Sequence, residues 1–423
     1  MRRDQKRIFK LISRGEALER TLSFVERRVL GDEIVAVDES CGRIFAEDVR
    51  ALHDLPLFNR ASMDGYAVRS RDTASASAAM PVRLTIVGKL FPADASSARK
   101  ILKGECIYTS TGAPLPESAD AVAQVERTRL ADGAIEVVRP LTANENVSVR
   151  GQEVKEGEKV FEQGEVVAPQ NIGMLLSLGI RRVRVVRKPR VEIISVGDEL
   201  TEAHQESQER LVNDHAYIVS ELLGQLGAEP RISGIVPDDP ERIKAKISDA
   251  LETADIVVTI AGSSVGAKDF VPDVVESLGK IMFHGIAMTP GKVTGVAVAN
   301  GKPVMMLPGY LMSVLAGFYT FVAPVVNLLG GLDVNGGLPV VEAKLKQSAR
   351  TKHGMERFLL LHLLRHGNSY LATPVEPQLG AMAHLNKANG YTIVSKDRVL
   401  RKGDRVKVTL FAPSEFRRIA AET

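Results

Sequence analysis

The sequence predicts a multidomain α/β plus β protein: one α/β domain on a largely parallel sheet, with β-rich pieces before and after it. Three observations predict this. The chain has 423 residues, two to four times a typical domain of roughly 150 residues. From about 190 to 333, short apolar runs alternate with segments of helical period, the pattern of strands buried on both faces. In 81–139 and 334–423, strand-length runs separated by Gly, Pro, Asn and Asp dominate.

Composition narrows the class. With 44% hydrophobic and 25% charged residues, a mainly disordered chain is excluded. Fifty-five Lys+Arg against 52 Asp+Glu leave a net charge of +3, too balanced to predict nucleic acid or an acidic partner. Two cysteines, Cys41 and Cys106, exclude a disulfide framework and a cysteine-built zinc site, and they fit a reducing cytoplasm. The opening MRRDQKRIFK is basic, but no apolar core follows it, so no secretory leader is expected. Between Lys302 and Asp333 there is no charge. Pro308, Gly309, Gly317, Pro324, Asn327 and Gly330–Gly331 interrupt that stretch. A buried strand, a tight turn and a buried helix are therefore expected there, and no membrane span.

The elements follow in order. RIFKLISRGEALERTLSFV carries apolar residues at helical spacing, and TASASAA at 73–79 is a low-complexity loop. VRLTIVG, ECIYTSTG, DAVAQVE and AIEVVRPL read as strands of a small β-rich domain. A helix around QNIGMLLSLG precedes RRVRVVRKPR, whose arginines form a solvated strand face, because no aromatics interleave to stack bases. VEIISVG, RISGIVPD, DIVVTIAG, KIMFHGIAM and PVMML are the strands expected of the α/β domain. Between them lie a helix with Ile218, Leu222, Leu223 and Leu226 on one face, a second over PDDPERIKAKISDALETA, and a short third over VPDVVESLG. In the second, Asp239 is placed to cap, Pro240 sits where a missing N–H costs nothing, and Ile243, Ile247 and Leu251 face inward. RFLLLHLL and GDRVKVTLF belong to a small C-terminal β-barrel or sandwich, the latter with Val406, Val408 and Leu410 inward. The boundaries expected are 1–50 with 140–188, 51–139, 189–333 and 334–423.

In an open parallel sheet, ligands bind beyond the strand C-termini. That rule selects four loops: Gly197-Asp198-Glu199, Pro237-Asp238-Asp239, Ala261 to Asp269, and Pro308 to Ser313. Clustered carboxylates need a cation, and hard oxygen ligands favour Mg²⁺ bridged to phosphate. The Gly-Ser loop offers N–H and hydroxyl donors to a phosphate. The plainer reading is that Asp, Ser and Gly are simply turn and cap residues. Other motifs fail. GIAMTPGK has one residue too many for a phosphate-binding Walker loop, and Val293 stands where it needs Ser or Thr. His284, His353 and His384 read as surface or core-edge residues.

LPLFNRASMDGYAV, TGAPLPESADAVAQVE, VRGQEVKEGE, VEIISVGDEL, SSVGAKD, PGK and LPG occur in the order of the MoeA/gephyrin E-domain family, which this chain resembles over nearly its whole length. The resemblance implies an elongated four-part fold: a discontinuous N-terminal domain, an inserted β domain, a MogA-like α/β domain and a C-terminal β-barrel. It also implies a cytoplasmic homodimer that inserts molybdate into adenylylated molybdopterin, releasing AMP with Mg²⁺ present. A MogA-like adenylyltransferase would be the protein partner, and neither nucleic acid nor membrane would be one. Asp64 and Thr111 would come from the second subunit. Glu199, Asp238 and Asp269 would be the acidic, metal-holding centre, and with Asp64 the catalytic set. Gly262, Ser263, Ser264 and Ser313 would hold phosphate or pterin, and Lys292 would add positive charge.

Departures cluster on the ligand side. Gly285 and Thr289 replace a lysine pair, Tyr310 and Leu311 replace Asn-Pro, and Asn213-Asp214-His215 replaces the usual helix start. Arg150-Gly151-Gln152-Glu153 replaces R-G-E-D, and Ala261 to Gly266 is an altered Gly-Ser loop. Lys268, Lys292 or His284 could compensate for the lysines. The alternative functions are a non-catalytic molybdopterin carrier or scaffold and a tungstate-using transferase.

Overall fold

The computed structural model describes residues 11–25, 30–94, 100–205, 210–262, 269–351, 353–376, 382–412, 415 and 419, with the side chains of 383 and 384 excepted. The chain forms two compact units, Met1–Glu33 with Val186–Thr423, and Ile34–Val185.

The first unit is built on a six-stranded sheet. Its strands are β1 (Arg190–Val196), β2 (Glu229–Val236), β3 (Ile256–Ile260), β4 (Gly279–His284), β5 (Gly295–Ala299) and β6 (Lys302–Leu307). The spatial order is β2-β1-β3-β6-β5-β4. The first four are parallel, while β5 pairs antiparallel with both β6 and β4. The sheet is therefore mixed, and β5 is a strand that the expected order lacked. The turn that makes it, Asn300-Gly301, has both residues at positive φ, as a two-residue hairpin requires.

The apolar runs are strands because both faces are covered. Val191 and Ile193 of β1 face a core with Ala216, Val219 and Leu223 of α1 (Asp214–Gln225). Ile194 and Val196 face a second core with Ile243, Ile247 and Leu251 of α2 (Pro240–Thr253) and Val271, Val274 and Val275 of α3 (Val271–Leu278). Period-2 alternation sends each strand's side chains to both cores. α2 begins as its sequence dictates: the Asp239 carboxylate accepts the Arg242 N–H at 2.9 Å, with Pro240 in the first turn.

Leu311–Leu329 is long and apolar enough to cross a membrane, but 78% of it is buried inside the protein, as a core helix is. Its middle, Phe318–Val322, is a π-turn. Buried Tyr319 projects from that turn among Phe358, Tyr391 and Phe411, with ring centroids 6.4, 4.9 and 5.4 Å away.

The C-terminal strands close into a five-stranded barrel. Glu356–His366 pairs with Ser369–Val375 on one side and Gly390–Val394 on the other, and Val340–Leu345 and Arg405–Leu410 complete the ring. Leu359, Leu361 and Leu363 fill its interior, while Phe358 and Leu360 face the core of the α/β layer. The expected strand KIMFHGIAM is two elements. Gly285, at φ 109°, ends β4, and Met288–Thr289 pairs in parallel with the barrel, Thr289 opposite Arg357.

In the second unit, a six-stranded sheet runs from Gly65 to Val137, and Val82–Leu90, Glu105–Thr109, Ala121–Gln124 and Ala134–Val137 match four of the expected runs. Around it, the residues near 37–50 and 154–185 form a core of their own with Phe45 and Phe161 stacked at 5.1 Å.

Candidate functional site

The chain leaves β1 to one side for β2 and crosses to the other side of β1 for β3, so the order reverses between β1 and β3. Such a switch point opens a crevice beyond the carboxyl ends of the two strands. The register places those ends together: Val196 beside Val236, Ser195 beside Ile260, and Ile260 beside Leu307. All four sequence-selected loops therefore leave one edge of the sheet.

A cavity of about 1030 Å³ lies there. Its sheet side includes Glu199, Ile260, Ala261, Gly309 and Ser313, and its barrel side Arg350, Arg357, Phe358 and Glu376. A volume of that size holds a ligand at the large end of the small-molecule range.

Backbone chemistry fixes the sheet side. Gly197 has φ 154°, and an added Cβ would lie 2.6 Å from a carboxylate oxygen of Glu199, so only glycine lets that side chain fold back over the turn. Gly262 has φ 63°, and a Cβ there would meet Val271 at 2.8 Å. The preceding Ala261 also takes positive φ, 68°, an uncommon conformation for a residue with a Cβ. Strained backbone next to a cavity is a recurrent property of binding sites.

The polar groups of the cavity are only partly satisfied. Buried Ser195 donates its hydroxyl to Asn213 Oδ1 at 2.7 Å. Asn213 is 3% exposed and lines the cavity, and its Nδ2 has no hydrogen-bond partner among the described residues. A buried amide donor left open in a cavity wall calls for an acceptor on the ligand. The next residues, Asp214 and His215, begin α1. Burial lowers the pKa of His215 below its usual 6.5, against the pull of Asp214.

The sequence-selected residues divide. Glu199 and Ser313 line the cavity, as do Thr289 and Tyr310. Asp238 stands at the end of β2, its N–H donating to Asp198 Oδ1 at 3.2 Å, and Asp269 lies just before α3; neither is among the described lining residues. Lys292 is exposed on the turn before β5, outside that lining. Gly262 shapes the loop, whereas Ser263, Ser264 and Lys268 lie outside the described residues, as does the side chain of His384. Asp64 and Thr111 belong to the other unit and bind each other. One oxygen of the Asp64 carboxylate accepts the Thr111 N–H at 2.7 Å and its hydroxyl at 2.9 Å. Those two bonds, the backbone one first, lower the Asp64 pKa from 3.8. His353 is a surface residue paired with Asp397 at 2.8 Å.

Among the described residues, no three His, Cys, Asp or Glu side chains gather to hold a metal. Mg²⁺ is commonly bound by one or two carboxylates together with phosphate oxygens and water. Glu199 and Asp238, on loops leaving one sheet edge, are hard oxygen donors of the kind Mg²⁺ takes, and among the described residues they do not make a protein-only cage.

Two cavity residues escaped the sequence reading. Asn213 registered only as a departure at a helix start. Arg350 carries no motif, and a cavity position 40 residues beyond Tyr310 has no signal in one dimension.

Residues 12–179 match the family described as "MoeA N-terminal region (domain I and II)", and 192–327 the one described as "Probable molybdopterin binding domain". A molybdopterin molybdenumtransferase of Staphylococcus aureus is 32% identical over 329 residues, 77% of this chain and 78% of that one. The Staphylococcus epidermidis protein of the same name is 34% identical over 299 residues, 70% of this chain and 71% of that one. A crystal structure of a molybdopterin biosynthesis MoeA protein from Pyrococcus horikoshii superposes with a TM-score of 0.84 at 35% identity, covering 95% of this chain and 99% of that one.

Proposed function

The chain belongs to the MoeA family of molybdopterin molybdenumtransferases, and from that membership we infer that it inserts molybdate into adenylylated molybdopterin and releases AMP. The observation that carries this reading within the molecule is the cavity at the β1/β3 switch point, with the open amide of Asn213 in its wall. A pterin is rich in ring-nitrogen and carbonyl acceptors that such a donor can bind.

The proposed division of labour follows from position. Asn213 and the Ser195 hydroxyl behind it orient the pterin. Ser313 and the loop through Gly262, Ser263 and Ser264 hold phosphate. Glu199, Asp238 and Asp269 would hold Mg²⁺, which supplies charge neutralisation for the phosphoanhydride. Asp64 and Thr111 act from a second copy in a homodimer, and Lys292 adds positive charge. A cytoplasmic location and delivery of the ligand by a MogA-like adenylyltransferase complete the proposal.

The test is incubation with adenylylated molybdopterin, molybdate and Mg²⁺, following AMP. Molybdate-dependent AMP release is expected. Binding of the nucleotide without any release above background would sink the enzymatic reading.

A further inference from the structure

Free positive charge is scarce in the cavity. Its described acidic lining residues are Glu199, Asp214 and Glu376, and its described cationic ones are Arg350 and Arg357. The charge of Arg357 is already engaged. Its Nη2 pairs with Glu376, and its Nη1 donates to the main-chain carbonyl of Arg350 at 2.8 Å. His215 does not substitute, since burial disfavours its protonated form.

Arg350 differs. It is an exposed residue that lines the cavity, and it forms no ion pair with any described carboxylate. Yet its backbone is held on two sides. Ala349–Arg350 pairs antiparallel with Val399–Leu400, and the Arg350 carbonyl takes the Arg357 guanidinium. Arg357 is in turn in register with Thr289, another cavity residue. The result is an arginine on a fixed stem in the wall of a cavity whose described lining has more carboxylates than cations, with no counter-ion among the described residues. Guanidinium presents its donors in a planar fork that matches two oxygens of a tetrahedral oxyanion.

We propose that Arg350 contacts the oxyanion in this cavity, and that it is the main cation for that group among the described residues. Molybdate and a phosphate ester share this chemistry, and the proposal rests on the molybdenumtransferase reading only for which of them is the natural ligand.

The experiment is calorimetric titration of the whole protein and its Arg350→Ala variant with molybdate and, separately, with AMP, each at low and high salt. Loss of affinity by about tenfold or more is expected in at least one arm, with a shallower salt dependence. Loss in the molybdate arm assigns Arg350 to the metal oxyanion, and loss in the AMP arm assigns it to the phosphate. Arg350→Lys should retain part of the affinity. Thr289→Lys in the Arg350→Ala background should recover some, since it returns a cation to the same wall. Equal affinity of parent and Arg350→Ala in both arms, or no measurable binding of either anion to the parent, overturns the proposal. The two readings fail separately: Arg350-dependent anion binding without AMP release rejects the enzymatic reading alone.

Discussion

The turn around Asp64 and the edge of the parallel sheet both carry acidic and amide groups, but they differ in how much of their bonding is complete. Asp64 is closed on itself, its carboxylate already holding the N–H and hydroxyl of Thr111. At the sheet edge, among the described residues, Asn213 keeps a buried amide without an acceptor and Arg350 has no counter-ion. The first turn is set before a ligand arrives. The second is left open among the described residues, and the proposed ligand would complete it. An unpaired buried donor costs about 1–3 kcal/mol, which an incoming acceptor recovers.

Four changes break or sharpen that contrast, in order of expected size. Gly262→Val forces a Cβ against Val271 and Val196 at a positive φ, and should destabilise the first unit by at least about 2 kcal/mol. Denaturant unfolding followed by near-ultraviolet dichroism checks it, and an unshifted midpoint would mean that the loop relaxes freely. Asn213→Ala removes the open donor and should weaken binding of adenylylated molybdopterin about tenfold. An unchanged Kd would show that the amide does not meet the ligand.

His215→Gln acts through pH. Since the folded pKa lies below 6.5, the unfolded chain takes up the proton first as pH falls. Stability is full above 6.5 and declines below it toward the folded value. The variant should flatten that decline below pH 6.5, and equal slopes in parent and variant would refute the assignment. The smallest effect belongs to the closed turn. Stabilisation from Asp64 is present above pH 3.8 and is lost as pH falls through its lower folded pKa. Thr111→Val deletes the hydroxyl bond and keeps the backbone one, so it should raise the Asp64 pKa partway toward 3.8, as read by carboxyl-carbon NMR titration.

The same contrast explains what was legible in the sequence. The cap at Asp239, the three helices and the four loops at one edge are local or periodic features, and each was readable from spacing alone. Strand β5 was missed although Asn300-Gly301, a hairpin signal, was in plain sight. KIMFHGIAM read as one strand because composition does not reveal that Gly285 turns and that Met288–Thr289 joins the barrel. Within the site, acidic turns announced themselves by residue type. Asn213 and Arg350 did not, because what singles them out is side-chain bonding left open among the described residues, and an open bond leaves no mark on a linear chain.

Ser313, at the ligand cavity, and Tyr319, wedged among the barrel's aromatic rings, ride on the same continuous helix, with the π-turn between. A helix pinned at its middle by those rings can pass a shift there to the cavity wall at its first turn. Repacking Phe358, Tyr391 or Phe411 should therefore be felt as altered affinity, and a screen for inactive variants should recover changes in that aromatic bearing, remote from the ligand, alongside those in the binding pocket.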